Sequence, residues 1–334
     1  MVQSAQGRAS GKIILMGEHS VVYSKPAIAL PFAAVQVLTT VTETTGDLSV
    51  NCAFYDGLVH EMPKVYESLK HAIRFSLYRL GVSQNPAIHI EITSTIPAER
   101  GMGSSAAVAV SVARALFSFY DKELTAKELW DIAQSSERIA HGNPSGVDVT
   151  TISREQSVYF VKDEAIEVLN LDLPAYLVVA DTGKIGHTLE AVQHVADWME
   201  MENEGTADLY FSPQGHIEAL GQLAKTSKKA LLNQDIKTLG DCMNQAQTYL
   251  VDLGVSDKGL DRLVVAARQA GALGAKLTGG GRGGCMIALV ESLTSAKKIA
   301  VKLKESGATQ AWLQSLGASS DEKLLQGDFF KGDV

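Results

Sequence analysis

Two carboxylates stand eleven positions apart in "ERIAHGNPSGVD", Glu137 at the end of a helical stretch and Asp148 beyond a Gly-Asn-Pro-Ser-Gly loop that can bend back. Carboxylates so placed can divide labour, one holding a hard cation and the other accepting a proton. Isolated acidic residues are more often a surface helix residue and a turn former, so the pair gains weight only from its company. That company includes "PAERGMGSSAAVAVSVARALF", where Gly101, Gly103, Ser104 and Ser105 run straight into an alanine-rich apolar stretch. The first turn of a helix leaves N–H groups unpaired and carries the positive end of the macrodipole. Glycines at 101 and 103 would bare those amides to a phosphate, and the serine hydroxyls would reach the phosphate or its metal. The plain alternative is a tight turn with a serine N-cap on a core helix.

Two further segments are dense in small or ionisable residues. "KLTGGGRGGC" sets five glycines around Arg282 between apolar strands, which points to close approach by a ligand or another backbone, with a flexible hairpin tip as the alternative. "GKIILMGEHSVVYSKPAIAL" has Lys12 opening a strand and Glu18-His19 at the turn after it. "GMGSSA" also fits the dinucleotide pattern G-x-G-x-x-A, but that fold needs a parallel strand returning after the helix. Here a second helix follows, and the preceding strand alternates where a central parallel strand would be apolar throughout. G-x-x-x-x-G-K-[ST] occurs nowhere in the chain.

The elements that must position these residues follow from periodicity. "GKIILMG", "PAIALPF" and "VQVLTTVTET" predict strands, and "KVYESLKHAIRFSLYRLG" a helix with Val65, Leu69, Ala72, Ile73, Leu77 and Leu80 on one face and Gly81 as its stop. Ile88, Ile90 and Ile92 alternate with polar residues in a strand. A helix runs from the serines to about Tyr120, and Thr125 with Glu128 forms a capping box opening the next. "HGNPSGVDVTTIS" reads as a loop feeding a short strand, and "SVYFV", "AIEVL" and "AYLVVAD" as strands. Residues 188–271 read as mostly helical, before a strand, glycine loop and strand, a helix near 294–305 and a last strand at "TQAWLQS".

The chain of 334 residues, with 46% hydrophobic and 20% charged residues, has material for two domains. A formal net charge of -8 disfavours broad attraction to nucleic acid or to anionic membrane. Cys52, Cys242 and Cys285 show no C-x-x-C pairing, which argues against structural zinc and a disulfide framework and fits a reducing, cytoplasmic setting. The start of the sequence resembles neither a signal peptide nor an anchor, and no apolar run is long enough to span a bilayer.

In this order, "GKIILMGEHSVVYSKPA", "PAERGMGSSAA" and "KLTGGGRGGC" resemble the three motifs of the GHMP kinases, and "ERIAHGNPSGVD" narrows the resemblance to their mevalonate kinase group. The Asn and Asp-Tyr that flank the Gly-Glu-His turn of galactokinases are missing, and phosphomevalonate kinases usually lack the histidine. The resemblance implies an α+β protein: a ribosomal-protein-like N-terminal domain with a left-handed crossover (1–178), a ferredoxin-like C-terminal domain (179–317), an active site in the cleft and a tail at 318–334. It implies ATP with its phosphates on Gly101, Met102, Gly103, Ser104, Ser105 and Ala106, and Mg2+ on Ser105, assisted by Ser104, and Glu137. Asp148 would accept the proton of the substrate hydroxyl, and Lys12 would favour the ionised hydroxyl. Glu18, His19, Thr182 and Thr188 would contact mevalonate, and Gly279, Gly280 and Gly281 would form the C-terminal glycine loop. Other GHMP small-molecule kinases and a catalytically silent sensor on the same fold are the alternatives, and the oligomeric state is open, a homodimer included. An RNA-binding role for the ribosomal-protein-like half is disfavoured by the acidic balance and the lack of an aromatic-basic stripe.

Overall fold

The computed structural model describes residues 3–203 and 212–317. The expected tail, and residues 204–211 of the helical region, lie outside them. The chain divides into two compact units. Of the described residues, one unit comprises those up to Lys12, Pro31–Ala98 and Met102–Gln156; the other takes Ile13–Leu30, Glu99–Gly101 and those from Ser157 on.

In chain order the first elements are β1 (Ser4–Met16), β2 (Ala27–Glu43), β3 (Ser49–Cys52), β4 (Tyr55–Leu58), α1 (Glu67–Leu80), β5 (Ile88–Ser94), α2 (Ser104–Phe119), α3 (Ala126–His141) and α4 (Val147–Arg154). In the first unit the strands lie in the order β4-β3-β5-β2, with β1 against β2. β3 runs parallel to β5, and β5 antiparallel to β2 with Ile90 opposite Val41 and Ile92 opposite Thr39. Ile88, Ile90 and Ile92 are all buried, as their alternation predicts, and Thr39 bonds Ser111 of α2 at 2.8 Å across the sheet–helix seam. The two apolar runs around residue 30 form one strand through Pro31. Pro31 falls between the stretch of β2 paired to a later strand (27–29) and that paired to β5 (37–43), so its missing N–H breaks neither ladder.

Helix α1 ends as expected on Gly81 in the left-handed conformation. Val65, however, is 80% exposed in the 3-10 turn ahead of the helix and shares no buried face with Leu77. The capping box of α3 is formed in both directions between Thr125 and Glu128. The largest departure is α4, where a loop and short strand are expected. Its β-branched residues favour a strand only when a sheet edge is there to receive them. Here Val147, Val149, Thr150, Thr151 and Ile152 are buried as α4 packs on α2 and α3, and Thr151 returns its hydroxyl to Val147 O at 2.8 Å.

The second unit holds β6 (Val158–Phe160), β7 (Glu167–Val168), β8 (Tyr176–Asp181), α5 (Thr188–Asn203), α6 (Pro213–Leu232), α7 (Ile236–Asp252), α8 (Lys258–Gln269), β9 (Gly274–Thr278), β10 (Cys285–Val290), α9 (Leu293–Glu305) and β11 (Gln310–Ser315). β6 pairs with Ala27–Ala29 of β2 and with the short β7. The other strands form an antiparallel sheet in the order β11-β8-β10-β9, the ferredoxin-like arrangement. β8 and β10 occupy its centre, with Leu177 opposite Leu289 and Val179 opposite Ile287, all fully buried. α8 rests on β9 and β10, and α9 on β8 and β11. No described helix is long and apolar enough to cross a membrane.

Candidate active site

The first unit gathers Lys12, the start of α2, the end of α3 and the start of α4. Lys12 lies inside β1, which begins seven residues earlier than its apolar run suggests, and is buried. Its N–H donates to Met102 O at 3.0 Å, which fixes the loop before α2 against the strand. Its Nζ reaches Oδ1 of Asp148 at 3.0 Å. Asp148 sits in the first turn of α4, and its carboxylate remains 31% exposed. A lysine closed in on the strand side is thus matched to a carboxylate open on the other.

Serine does not cap α2. Gly103 is the N-cap at φ 74, with no side-chain cap, and the serines are the first two helical residues. The first intrahelical bond runs from Ala107 N to Gly103 O, so the amides of Ser104 to Ala106 have no acceptor inside the helix. That leaves a 16-residue helix with an uncapped positive end, the arrangement that takes an anion. Gly103 serves a second need, since a Cβ there would lie 2.8 Å from Ile152 Cδ1 and 3.1 Å from Lys12 Cγ. The lysine stem runs where a side chain would go.

Glu137, in the last turn of α3, is a buried residue whose side chain is 4% exposed. Its Oε1 has no hydrogen-bond partner, while Oε2 lies 3.7 Å from His141 Nε2. Burial pushes the Glu137 carboxyl above the usual carboxylate range, partly offset by His141, Ser105 and Lys12. A divalent cation would supply the charge this buried oxygen lacks. With a carboxylate and the Ser105 hydroxyl as hard donors, the residues fit Mg2+ completed by water and phosphate oxygens. Among the described residues no group of three His, Cys, Asp or Glu side chains could hold a metal by itself. His141, unnoticed in the sequence, bonds Ser105 Oγ at 3.3 Å. Its spacing of four from Glu137 on one helix was the available signal.

The second unit gathers the turn after β1 and the loop after β9. His19, at φ 59 and ψ -46, is buried with Nε2 2.9 Å from Gly280 O. A carbonyl only accepts, so Nε2 carries the proton and Nδ1 presents a lone pair. Burial lowers the His19 pKa to about 4, the nearby Arg282 charge adding to the effect against the Gly280 bond, and the ring is neutral near pH 7. Glu18 is fully buried and pairs with Lys276 of β9, also fully buried, whose Nζ donates besides to Leu277 O at 2.7 Å. Lys276 escaped sequence reasoning, although a lysine within "GAKLT" at the head of an apolar strand was the clue.

In the same unit Gly101 meets the glycine loop backbone to backbone: a Cβ on Gly279 would stand 2.8 Å from Gly101 Cα. A side chain at either residue would separate the two loops. Thr188 opens α5 against Gly280, whose added Cβ would fall 2.0 Å from Thr188 Oγ1. Thr182 donates its hydroxyl to Gly284 O at 2.7 Å and accepts Lys184 N at 3.3 Å, so it holds the far end of the loop. Arg282, which interrupts the glycine run, adopts φ 51 and donates Nε to Gly254 O at 3.1 Å. Arg100, also unforeseen, clasps Asp181 at 3.0 Å and Gly183 O at 3.1 Å.

Comparison with known proteins follows the same division. The family described as GHMP kinases N terminal domain matches residues 65–155, and that described as GHMP kinases C terminal matches 227–309. The chain is 33% identical over 325 residues to a mevalonate kinase of Pyrococcus abyssi, covering 90% of this chain and 92% of that protein. It is 34% identical over 301 residues to one from Aeropyrum pernix, covering 86% and 89%. The crystal structure of L. major mevalonate kinase in complex with R-mevalonate superposes with a TM-score of 0.78 at 25% identity, over 95% of this chain and 98% of that one. That of Staphylococcus aureus MRSA252 mevalonate kinase gives 0.70 at 30% identity, over 94% and 99%. On sequence, topology and these relatives together, the chain belongs to the GHMP kinases, within their mevalonate kinase group.

Proposed function

We propose that the protein transfers the terminal phosphoryl group of ATP to the primary hydroxyl of mevalonate, giving 5-phosphomevalonate and ADP. The observation that carries the reading is the Lys12–Asp148 pair at 3.0 Å, set in the same unit as an uncapped helix terminus and a buried carboxylate with an orphaned oxygen. The mevalonate kinases at about one-third identity support the choice of substrate.

On this reading the backbone of Gly101 to Ala106 receives the ATP phosphates. Asp148 takes the hydroxyl proton as the substrate oxygen bonds to the γ-phosphorus and the bond from that phosphorus to the ADP oxygen breaks. Lys12 stabilises negative charge on the attacking oxygen and orients the Asp148 carboxylate. Ser105, with Ser104 beside it, and Glu137 would hold Mg2+, which when bound neutralises phosphate charge. His19, through its Nδ1 lone pair, and Thr188 are the proposed substrate-contacting groups, and Glu18, wholly buried on Lys276, contributes through the turn it holds. Thr182 contributes through the loop it holds, and Gly279 to Gly281 let that loop lie close against Gly101, Thr188 and Val255. Three free thiols, two of them buried, support a cytoplasmic location.

A coupled assay offering mevalonate, phosphomevalonate, galactose and homoserine side by side tests the reading. Mevalonate with Mg·ATP is expected to give the highest kcat/KM. A clear preference for another of the four would overturn the substrate while leaving the family intact.

A further inference from the structure

We infer that Lys276 is a positioning residue for substrate binding, acting through Glu18 to hold His19 in place. Lys276 and Thr278 are two apart on β9 and so project from the same face. Both reach the segment that follows Ile13. Thr278 Oγ1 accepts Ile14 N at 3.0 Å and donates to Ile14 O at 2.9 Å, imitating a strand partner. Lys276 pairs with Glu18, and His19 then donates to Gly280 O at 2.9 Å. Three side-chain links therefore lay residues 14–19 along β9 and the glycine loop it enters.

The middle link is the costly one. Both partners are wholly buried, and taking two charges out of water costs several kcal/mol per ion, so such a pair is weak evidence for stability. A well-packed apolar pair would stabilise as well or better. What an ion pair adds is direction. The turn it holds contains Gly17 at φ 98 and His19 at φ 59, and a histidine in that region persists only when its surroundings over-determine it. With Glu18 anchored, the His19 ring has one direction to take, with Nε2–H on Gly280 and Nδ1 presented for a hydroxyl donor.

This inference rests on the proposed contact between His19 and mevalonate. Lys276→Met keeps the stem and removes the charge, and two readouts are followed: the proton resonance of the hydrogen-bonded His19 Nε2–H, and the separate KM values for mevalonate and ATP. The expected result is loss of that resonance and a rise of about tenfold or more in KM for mevalonate, the worth of roughly one hydrogen bond, with KM for ATP and kcat within about threefold. A folded variant that keeps the resonance and the wild-type KM overturns the inference. So does loss of the resonance with an unchanged KM. His19→Asn, measured in parallel, separates the two readings: wild-type KM in that variant overturns the His19 contact itself. If Lys276→Met does not fold, Lys276→Met with Glu18→Gln removes both buried charges at nearly constant volume, and persistence of the His19 resonance there overturns the inference.

Discussion

Lys12 Nζ stands 3.0 Å from Asp148 Oδ1, with the lysine buried within a strand and the aspartate in the first turn of a helix, its carboxylate one-third exposed. The asymmetry decides what each can do. Lys12 is held on one side by β1 and by the loop bonded to its own N–H, so it is a fixed charge. Asp148 keeps an open edge, which a substrate hydroxyl can approach while the other oxygen stays on the ammonium.

Asp148→Asn keeps size and most hydrogen bonding but cannot accept a proton at neutral pH. Turnover is expected to fall at least about a hundredfold, the lower end of what a positioned acid-base group contributes. Nucleotide affinity should survive, because the phosphates are assigned to backbone amides. Near-normal turnover in a folded variant would return Asp148 to the role of a helix-start residue, and thermal midpoint, ATP affinity and kcat on one preparation separate the cases.

Glu137→Gln and Ser105→Ala each weaken the oxygen donor set proposed for Mg2+. Both are expected to raise, severalfold or more, the Mg2+ concentration needed for half-maximal activity. Glu137→Gln should also be no less stable than wild type without metal, since it removes a buried carboxyl with an orphaned oxygen. Unaltered metal dependence in both variants would leave Glu137 as a buried packing residue only.

Much of each group of residues was legible because its parts are local. The bare amides of α2 and the loop between Glu137 and Asp148 in the first unit, and the Glu18–His19 turn and the glycine loop in the second, are each contiguous, and small or charged residues crowd there. Two things were not legible. α4 carries strand-forming residues, and only its packing on α2 and α3 makes it a helix. Glu18 and Lys276 are 258 positions apart, and a lysine in an apolar strand does not name its partner. Gly101 shows a third limit: the bareness read as room for phosphate is also taken up by the backbone of Gly279.

His19 makes stability depend on pH. Its pKa is about 4 in the fold against 6.5 for a free side chain, so below 6.5 the unfolded chain binds a proton that the native state refuses. Its contribution is present in full above pH 6.5 and is lost as pH falls towards 4, a change of roughly 2–4 kcal/mol. His19→Asn tolerates a positive φ and does not titrate. The stability difference between wild type and this variant, from denaturant midpoints, should therefore shift against wild type across that window. A pH-independent difference would mean that His19 is not held neutral by burial.

Gly103→Ala distinguishes two reasons for a glycine at the start of α2. If the glycine serves only to let phosphate near the amides, a methyl group should raise KM for ATP and spare kcat at saturation. The direction a side chain would take, however, leads to Ile152 Cδ1 at 2.8 Å and Lys12 Cγ at 3.1 Å. Alanine at φ 74 adds a left-handed penalty of about 1–2 kcal/mol. Both neighbours are side chains and can move, so the protein should fold with its stability lowered by roughly 1–3 kcal/mol. Moving Lys12 is the larger effect, because its stem is confined and its Nζ must then leave Asp148. The expected outcome is a fall in kcat of at least about tenfold at saturating ATP, with KM for ATP within about threefold, since misplacing a catalytic group by about an ångström costs up to a hundredfold. A variant with normal kcat and a raised KM for ATP would show that Gly103 faces the nucleotide alone and that Lys12 does not depend on it.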